Sequence, residues 1–215
     1  MSLNYILNST LNCRDDNRFD NFIHLCQSQF DKPVYNMTEM RMRQNKKLRG
    51  DLFEEFCKLY LIHIYKVKFE HVWLHHEIPD DVRTKLGLRN QDMGIDIIAR
   101  DYHNRYYAVQ VKYRKPKDKN QYISWKQLST FYALVYRSGP YHKHIVMCNV
   151  NGVRHITKKG PKDVSICIGT FRKMTYFDWL KIVGERVEKT IDQPSKEEVR
   201  NRRLAYFDRL NKYPK

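Results

Sequence analysis

The chain has 215 residues, 41% of them hydrophobic and 13% aromatic, enough for one sizeable core with terminal additions but too few for two full domains by default. Its 40 Lys and Arg against 24 Asp and Glu give a formal charge of +16, which directs it toward polyanions. There is no signal-peptide pattern and no apolar run of spanning length, and the five cysteines are odd in number and irregularly spaced. A membrane-spanning protein, a disulfide framework and a structural zinc site are therefore not expected, and a soluble intracellular protein with free thiols is.

After the polar stretch CRDDN, Phe19, Phe22, Ile23, Cys26 and Phe30 recur at helical spacing and predict a short amphipathic helix in an N-terminal arm. A second helical pattern runs through GDLFEEFCKLYLIHIYK, with Phe53, Phe56, Tyr60 and Ile64 on one face and Glu54 at its edge. The stretch EHVWLHHEIPDDVRTKLGL reads as a polar loop or irregular strand, with Pro79, Asp80 and Asp81 as breakers. MGIDIIAR and RYYAVQVKYR are β-rich and joined by the turn-forming Asp101 to Asn104, a hairpin signal.

Past the basic loop KPKDKNQY, Ser124 can cap a helix bearing Trp125, Leu128, Phe131, Tyr132 and Val135, which Ser138-Gly139-Pro140 ends. HKHIVMCNV reads as a buried strand and SICIGT as another. Thr175 and Asp178 then form a capping-box signature for a helix carrying Leu180, Val183 and Val187. A last helix is expected after Pro194, with Val199, Tyr206, Phe207 and Leu210 on one side and Arg200, Arg202 and Arg203 available for phosphates. This order describes an α/β chain with a central mixed sheet flanked by helices and additional helices at both ends. The expected divisions are a helical arm over 1–46, a core over 47–172 and a helical extension over 173–215.

In the hairpin, Gln110 and Lys112 project from one face of their strand while Val109 and Val111 point to the other. Asp96 alternates with Ile95 and Ile97, so its carboxylate leaves the face that those isoleucines bury. Three polar groups thus converge on an otherwise apolar hairpin. A hard divalent cation such as Mg²⁺ takes oxygen ligands, and an aspartate, an amide oxygen and the Val111 carbonyl can supply them. A neighbouring lysine can orient a nucleophile or neutralise charge developing on a phosphate.

GIDIIA followed by AVQVKYR resembles the PD-(D/E)xK nuclease superfamily, with its restriction-endonuclease-like core, and within it the Mrr-like branch, in which Q-x-K often replaces E-x-K. The likeness extends to GDLFEEF, where Gly50, Phe53 and Glu54 match that branch's helical glutamate. DMGID resembles a motif of nuclease domains attached to phage and viral helicases, and SWKQLSTF resembles the helix that follows. It covers roughly residues 48–150.

The resemblance implies a metal-dependent DNA endonuclease using Mg²⁺, with Mn²⁺ able to substitute. Asp96 would be the principal metal ligand, Gln110 the second and the Val111 carbonyl a third. Lys112 would be the catalytic lysine and Glu54 a further ligand or water-positioning group. Asp92 and Gln127 are auxiliary candidates, and Asp92 reads equally well as a turn residue. Arg114, Lys115, Lys117, Lys119, Lys158 and Lys159 are the expected DNA contacts. Two alternatives stay open: a nuclease-fold module that binds DNA without cutting it, and a resolvase of branched DNA. Cutting both strands of a duplex calls for two sites, so a homodimer is also an expectation.

Overall fold

A computed structural model describes residues 2–13, 17–28, 39–89, 94–117, 120–154 and 160–187, with side chains outside 39–44 and 185–187. Two apolar runs, IIAR and YYAVQV, set the centre of the sheet. They form β2 (Ile97–Asp101) and β3 (Tyr106–Lys112), antiparallel and in register from Ile97 opposite Val109 to Arg100 opposite Tyr106. The turn between them follows the sequence expectation. Asn104 takes φ 57°, a left-handed conformation that asparagine tolerates better than most residues. Asp101 accepts hydrogen bonds from the N–H groups of His103 and Arg105, from Arg105 Nε at 2.8 Å and from the Tyr107 hydroxyl at 3.0 Å.

Around this hairpin, β1 (Phe69–Leu74) pairs antiparallel with β2. On the other side β5 (Lys143–Cys148) and β7 (Asp163–Ile166) add in parallel, giving a mixed sheet in the order β1-β2-β3-β5-β7. Two three-residue strands, β4 (Tyr122–Ser124) and β6 (Gly152–Arg154), make a separate parallel pair. The connection from β3 to its parallel neighbour β5 contains α5 (Ser129–Arg137), as a parallel crossover requires.

Alternation along the strands sends residues to two hydrophobic clusters. On one face Ile97, Ala99, Tyr107, Val109, Val111, Ile145 and Met147 meet α1 (Leu3–Leu11), α2 (Arg18–Ser28), α3 (Glu39–His63) and the helices α6 (Ile168–Phe171) and α7 (Tyr176–Val187). On the other, Ile98, Ala108, Val146 and Cys148 meet α5 and α4 (Asp80–Leu86). The result is a three-layer α/β/α sandwich around a mixed sheet. Phe19 and Phe22 of α2 pack among Phe53, Phe56, Phe171 and Trp179, with Phe19 stacked on Phe171 at 4.8 Å.

Several elements differ from the sequence expectation. EHVWL forms the edge strand β1, whose register shifts between Phe69 and His71, so the irregular-strand alternative holds and the loop does not; Asp80 and Asp81, read as breakers, lie in the first turn of α4. Carboxylates there complement the helix dipole, and Gly87 at φ 65° closes the helix in a left-handed cap. SICIGT divides: the strand starts earlier, at Asp163, and ends at Ile166, while IGTF forms α6. The Thr175–Asp178 capping box is present, with Thr175 N–H donating to Asp178 Oδ2 at 2.9 Å and Asp178 N–H to Thr175 Oγ1 at 3.2 Å. Yet α7 buries Trp179, Ile182 and Val183, whereas Leu180 is 37% exposed, because the packed stripe starts one residue earlier. Helix α1 was not expected. Phe30, the helix proposed after Pro194 and its arginines lie outside the described residues. Among those described, no helix is long and apolar enough to cross a membrane, and all five cysteines are free.

Candidate active site at the carboxyl ends of β3 and β5

The site lies where the antiparallel hairpin meets the parallel half of the sheet. Asp96 immediately precedes β2 and continues its ladder: its N–H donates to Val109 O at 3.0 Å, and its own carbonyl accepts from His75 N–H at 2.8 Å. This clamps the backbone between β1 and β3, so the side chain has a fixed origin. Asp96 Oδ2 accepts from Gln110 Nε2 and, at 2.5 Å, from Val111 N–H. Asp96 is 8% exposed and Gln110 2%. A buried carboxylate is costly unless hydrogen-bonded, and here two N–H donors share one oxygen.

Lys112 shares the Gln110 face of β3, is partly buried, and stands in register with Cys148 of β5. Gly94 adopts φ 116°, where any side chain would be strained, and brings its Cα region against the Gln110 amide: a Cβ at this position would stand 3.5 Å from Gln110 Oε1. Glu54 lies half-buried on α3. One helical turn on from Glu54 is Cys57, a fully buried thiol. Burial pushes this thiol well above its ordinary range, and the Glu54 and Asp96 carboxylates raise it further. Cys57 thus feels both acids and stays protonated.

The donor set around Asp96 is oxygen and amide. Among the described residues no three of His, Cys, Asp and Glu gather as a metal-holding group, so any cation here would draw on Gln110 and backbone or water oxygens beside the carboxylates. That composition suits a hard cation rather than zinc or copper.

Other expected residues fall as follows. Gln127 is exposed, and its Oε1 accepts from Ser124 N–H at 3.0 Å, so it serves as a helix-capping partner. Asp92, Lys119, Lys158 and Lys159 lie outside the described residues. Arg114, Lys115 and Lys117 follow β3 directly, with Lys115 and Lys117 exposed. Residues 102–162 hold thirteen Lys and Arg against one carboxylate, Asp118, so much of the positive charge belongs to the segment that carries the site.

Two positioning residues escaped the sequence reading. Asn149, 5% exposed just past β5, accepts from Arg114 N–H with Oδ1 and donates to Arg114 O with Nδ2, both at 2.7 Å. This clasp fixes the backbone two residues beyond Lys112. Arg83, 8% exposed on α4, donates to the carbonyls of Ile78, Arg89 and His75, holding the segment whose His75 N–H meets Asp96. An Asn after an apolar strand was the only signal for the first; a lone Arg in a polar stretch gave none for the second.

No curated protein and no solved structure matches the chain. A family model described as restriction endonuclease, of the Mrr type, matches residues 63–175, a span that includes Asp96, Gln110, Lys112 and Asn149 and leaves out Glu54. With over half of its length matched and an α/β sandwich built around the same hairpin, the chain belongs to the restriction endonuclease family.

Proposed function

We propose that the protein is a divalent-metal-dependent DNA endonuclease whose site is formed by Asp96, Gln110, Lys112 and Glu54. The observation that carries this reading is the buried contact of Asp96 with Gln110, made on adjacent strands with Lys112 two residues further along the same face. A hairpin that only had to fold would fill those positions with apolar residues, since a buried carboxylate costs stability unless it has work or partners.

In this reading Asp96 and the Gln110 amide oxygen hold the cation. Val111 O leaves β3 on the same edge as the N–H that meets Asp96 and serves as a backbone donor. Glu54 adds the negative charge that Gln110 lacks. When bound, Mg²⁺, or Mn²⁺ in its place, supplies a water of lowered pKa and Lewis-acid stabilisation of the phosphate. Lys112 orients the attacking water or neutralises charge on the phosphate oxygens, while Asn149 keeps the following backbone still. Arg114, Lys115 and Lys117 meet the DNA backbone, with Lys119, Lys158 and Lys159 as further contacts. Cutting both strands of a duplex would take two copies of the chain; a monomeric mass with duplex DNA bound would count against a homodimer.

The test is incubation of supercoiled and branched DNA with Mg²⁺ or Mn²⁺. Nicking or cutting is expected, with loss in Asp96→Ala and Lys112→Ala at little cost in fold, and strong loss of metal affinity in Glu54→Ala. Equal activity in wild type and variants would refute the site. A second reading has one observation in its favour: Gln110 turns its Nε2 onto Asp96, so the pair satisfies itself without a cation. DNA retained but never cut would establish that binding-only reading, and preference for branched over linear DNA would identify a resolvase.

A further inference from the structure

We propose that the exposed face of the β4–β6 pair is a stacking platform for an unpaired nucleobase of the DNA substrate, formed by Tyr122 and Arg154; this rests on the nuclease reading above. The two strands are in parallel register, Tyr122 opposite Gly152 and Ser124 opposite Arg154. Alternation therefore splits their residues. Ile123 is fully buried and Val153 packs beside it against the α5 layer, while Tyr122, Ser124, Gly152 and Arg154 share the outer face.

That face has an unusual composition for a ribbon of this size. Tyr122 is 42% exposed, and Arg154, also exposed, places its guanidinium carbon 4.7 Å from the Tyr122 ring centroid. Gly152, directly opposite Tyr122, contributes no side chain to cover the ring, whose edge carbons lie 3.5 and 3.6 Å from where a Cβ would stand. The pair offers a flat surface that is apolar in area and positive in charge. A base gains dispersion on such a surface, and its phosphate gains an electrostatic partner.

Location selects the ligand. β6 begins shortly past the end of β5, and Tyr122 follows Lys112 by ten residues, so the platform stands within roughly 36 Å of the catalytic strand end. The two elements are tied together at their start: Asn151 N–H donates to Gln121 O, and Gln121 N–H donates to Asn151 Oδ1, both at 3.0 Å. Beside this tie a cleft of about 340 Å³ is lined by Lys117, Gln121, Asn149 and Asn151 on one side and by His24 and Gln27 of α2 on another. The segment's excess of thirteen Lys and Arg over one carboxylate favours a polyanion over a protein or lipid tail. A single ring standing on a narrow ribbon can reach the π-face of a base only where that base has left its stack, which excludes an intact duplex as the favoured occupant.

The test measures binding without cleavage. The full chain, in EDTA, is titrated into a single-stranded oligonucleotide containing 2-aminopurine and into the matching duplex. Tyr122→Ala should weaken single-strand binding on the order of tenfold and remove the change in 2-aminopurine emission, with duplex affinity little altered. Tyr122→Phe should behave as wild type, and Tyr122→Leu, which keeps apolar bulk without a π-face, should behave as Tyr122→Ala. Equal losses on both DNAs, no loss on either, or wild-type binding by Tyr122→Leu would each overturn the platform. A protein that keeps this single-strand selectivity yet never cuts DNA overturns the nuclease reading alone; one that cuts while Tyr122→Ala binds normally overturns the platform alone.

Discussion

Gln110→Glu is the substitution that most directly probes the pair at the heart of the site. The side chains of Asp96 and Gln110 touch with exposures of 8% and 2%, so a glutamate would set one buried carboxylate against another. Two costs compete in the metal-free protein. With both acids ionised, a hydrogen bond to a charged acceptor, worth about 1.5–3 kcal/mol, is replaced by repulsion. Holding a proton on one acid restores a hydrogen bond between them, at about 1.4 kcal/mol for each unit by which its pKa must rise. The net expectation near pH 7 is about 2–4 kcal/mol of destabilisation, or roughly 5–15 °C in Tm for a chain of this size. The introduced acid has a folded pKa above its unfolded value, so the penalty is present at neutral pH and shrinks as pH falls toward the ordinary carboxylate range. Mg²⁺ reverses the sign of the argument, because two acidic oxygen groups bind a hard cation better than one. At a hundredfold excess over Kd, binding restores about 2.7 kcal/mol. The assay is thermal unfolding of wild type and variant in EDTA and in Mg²⁺ at pH 7 and pH 5. A variant with wild-type Tm in EDTA and no larger gain from Mg²⁺ would refute both the buried contact and its role in holding metal.

Two further outcomes test the scaffold that aims the site. The hydrogen bonds from His103, Arg105 and Tyr107 outweigh the cost of burial and hold the Asp101 carboxyl at about 2. Its stabilisation is therefore present above the unfolded value near 3.8 and lost as pH falls through about 2. Asp101→Asn should cost about 2 kcal/mol at pH 6, and urea titrations should show the gap to wild type closing as pH is lowered from 5 toward 3; a constant gap would rule out the carboxylate as its source. Phe56→Ala removes a ring whose centroid lies 4.6 Å from that of Phe22 and 5.6 Å from those of Phe171 and Trp179, and should cost about 3–5 kcal/mol. A loss below about 1 kcal/mol in chemical denaturation would mean that the cluster is not packed as described.

Residues that act through local pattern were readable from the sequence. The alternation of Val109 and Val111 with Gln110 and Lys112 already separates a buried face from a polar one, and the turn ending in Asn104 sets the register that brings Asp96 to Gln110. The start of α7 followed from the Thr175–Asp178 box, because capping is settled within four residues, whereas Ser124, expected to cap the next helix, caps only the 3-10 turn Trp125–Leu128, and α5 starts at Ser129. What escaped depends on partners distant in sequence. Asn149 is defined by a backbone thirty-five residues away, and Arg83 by three carbonyls that no periodicity announces. β1 was obscured because its outward residues are polar at an exposed sheet edge, and β4 and β6 because three residues are too few to show a period. Gln127 was drawn toward the site by resemblance, whereas the nearest N–H, that of Ser124, claims it as a cap.

The aromatic cluster joining α2, α3, α6 and α7 also bears on how the chain is made. Phe19 and Phe22 leave the ribosome about 150 residues before Phe171 and Trp179, two of the rings they pack against. Until those residues emerge, α2 has only part of its apolar face covered, and the nascent chain exposes hydrophobic surface throughout that interval. A core shared by the first and last described helices thus closes only when the last of them has been made. The chain's vulnerability to aggregation and proteolysis should concentrate in that interval, when the hairpin carrying Asp96 and Lys112 exists but the layer supporting it does not.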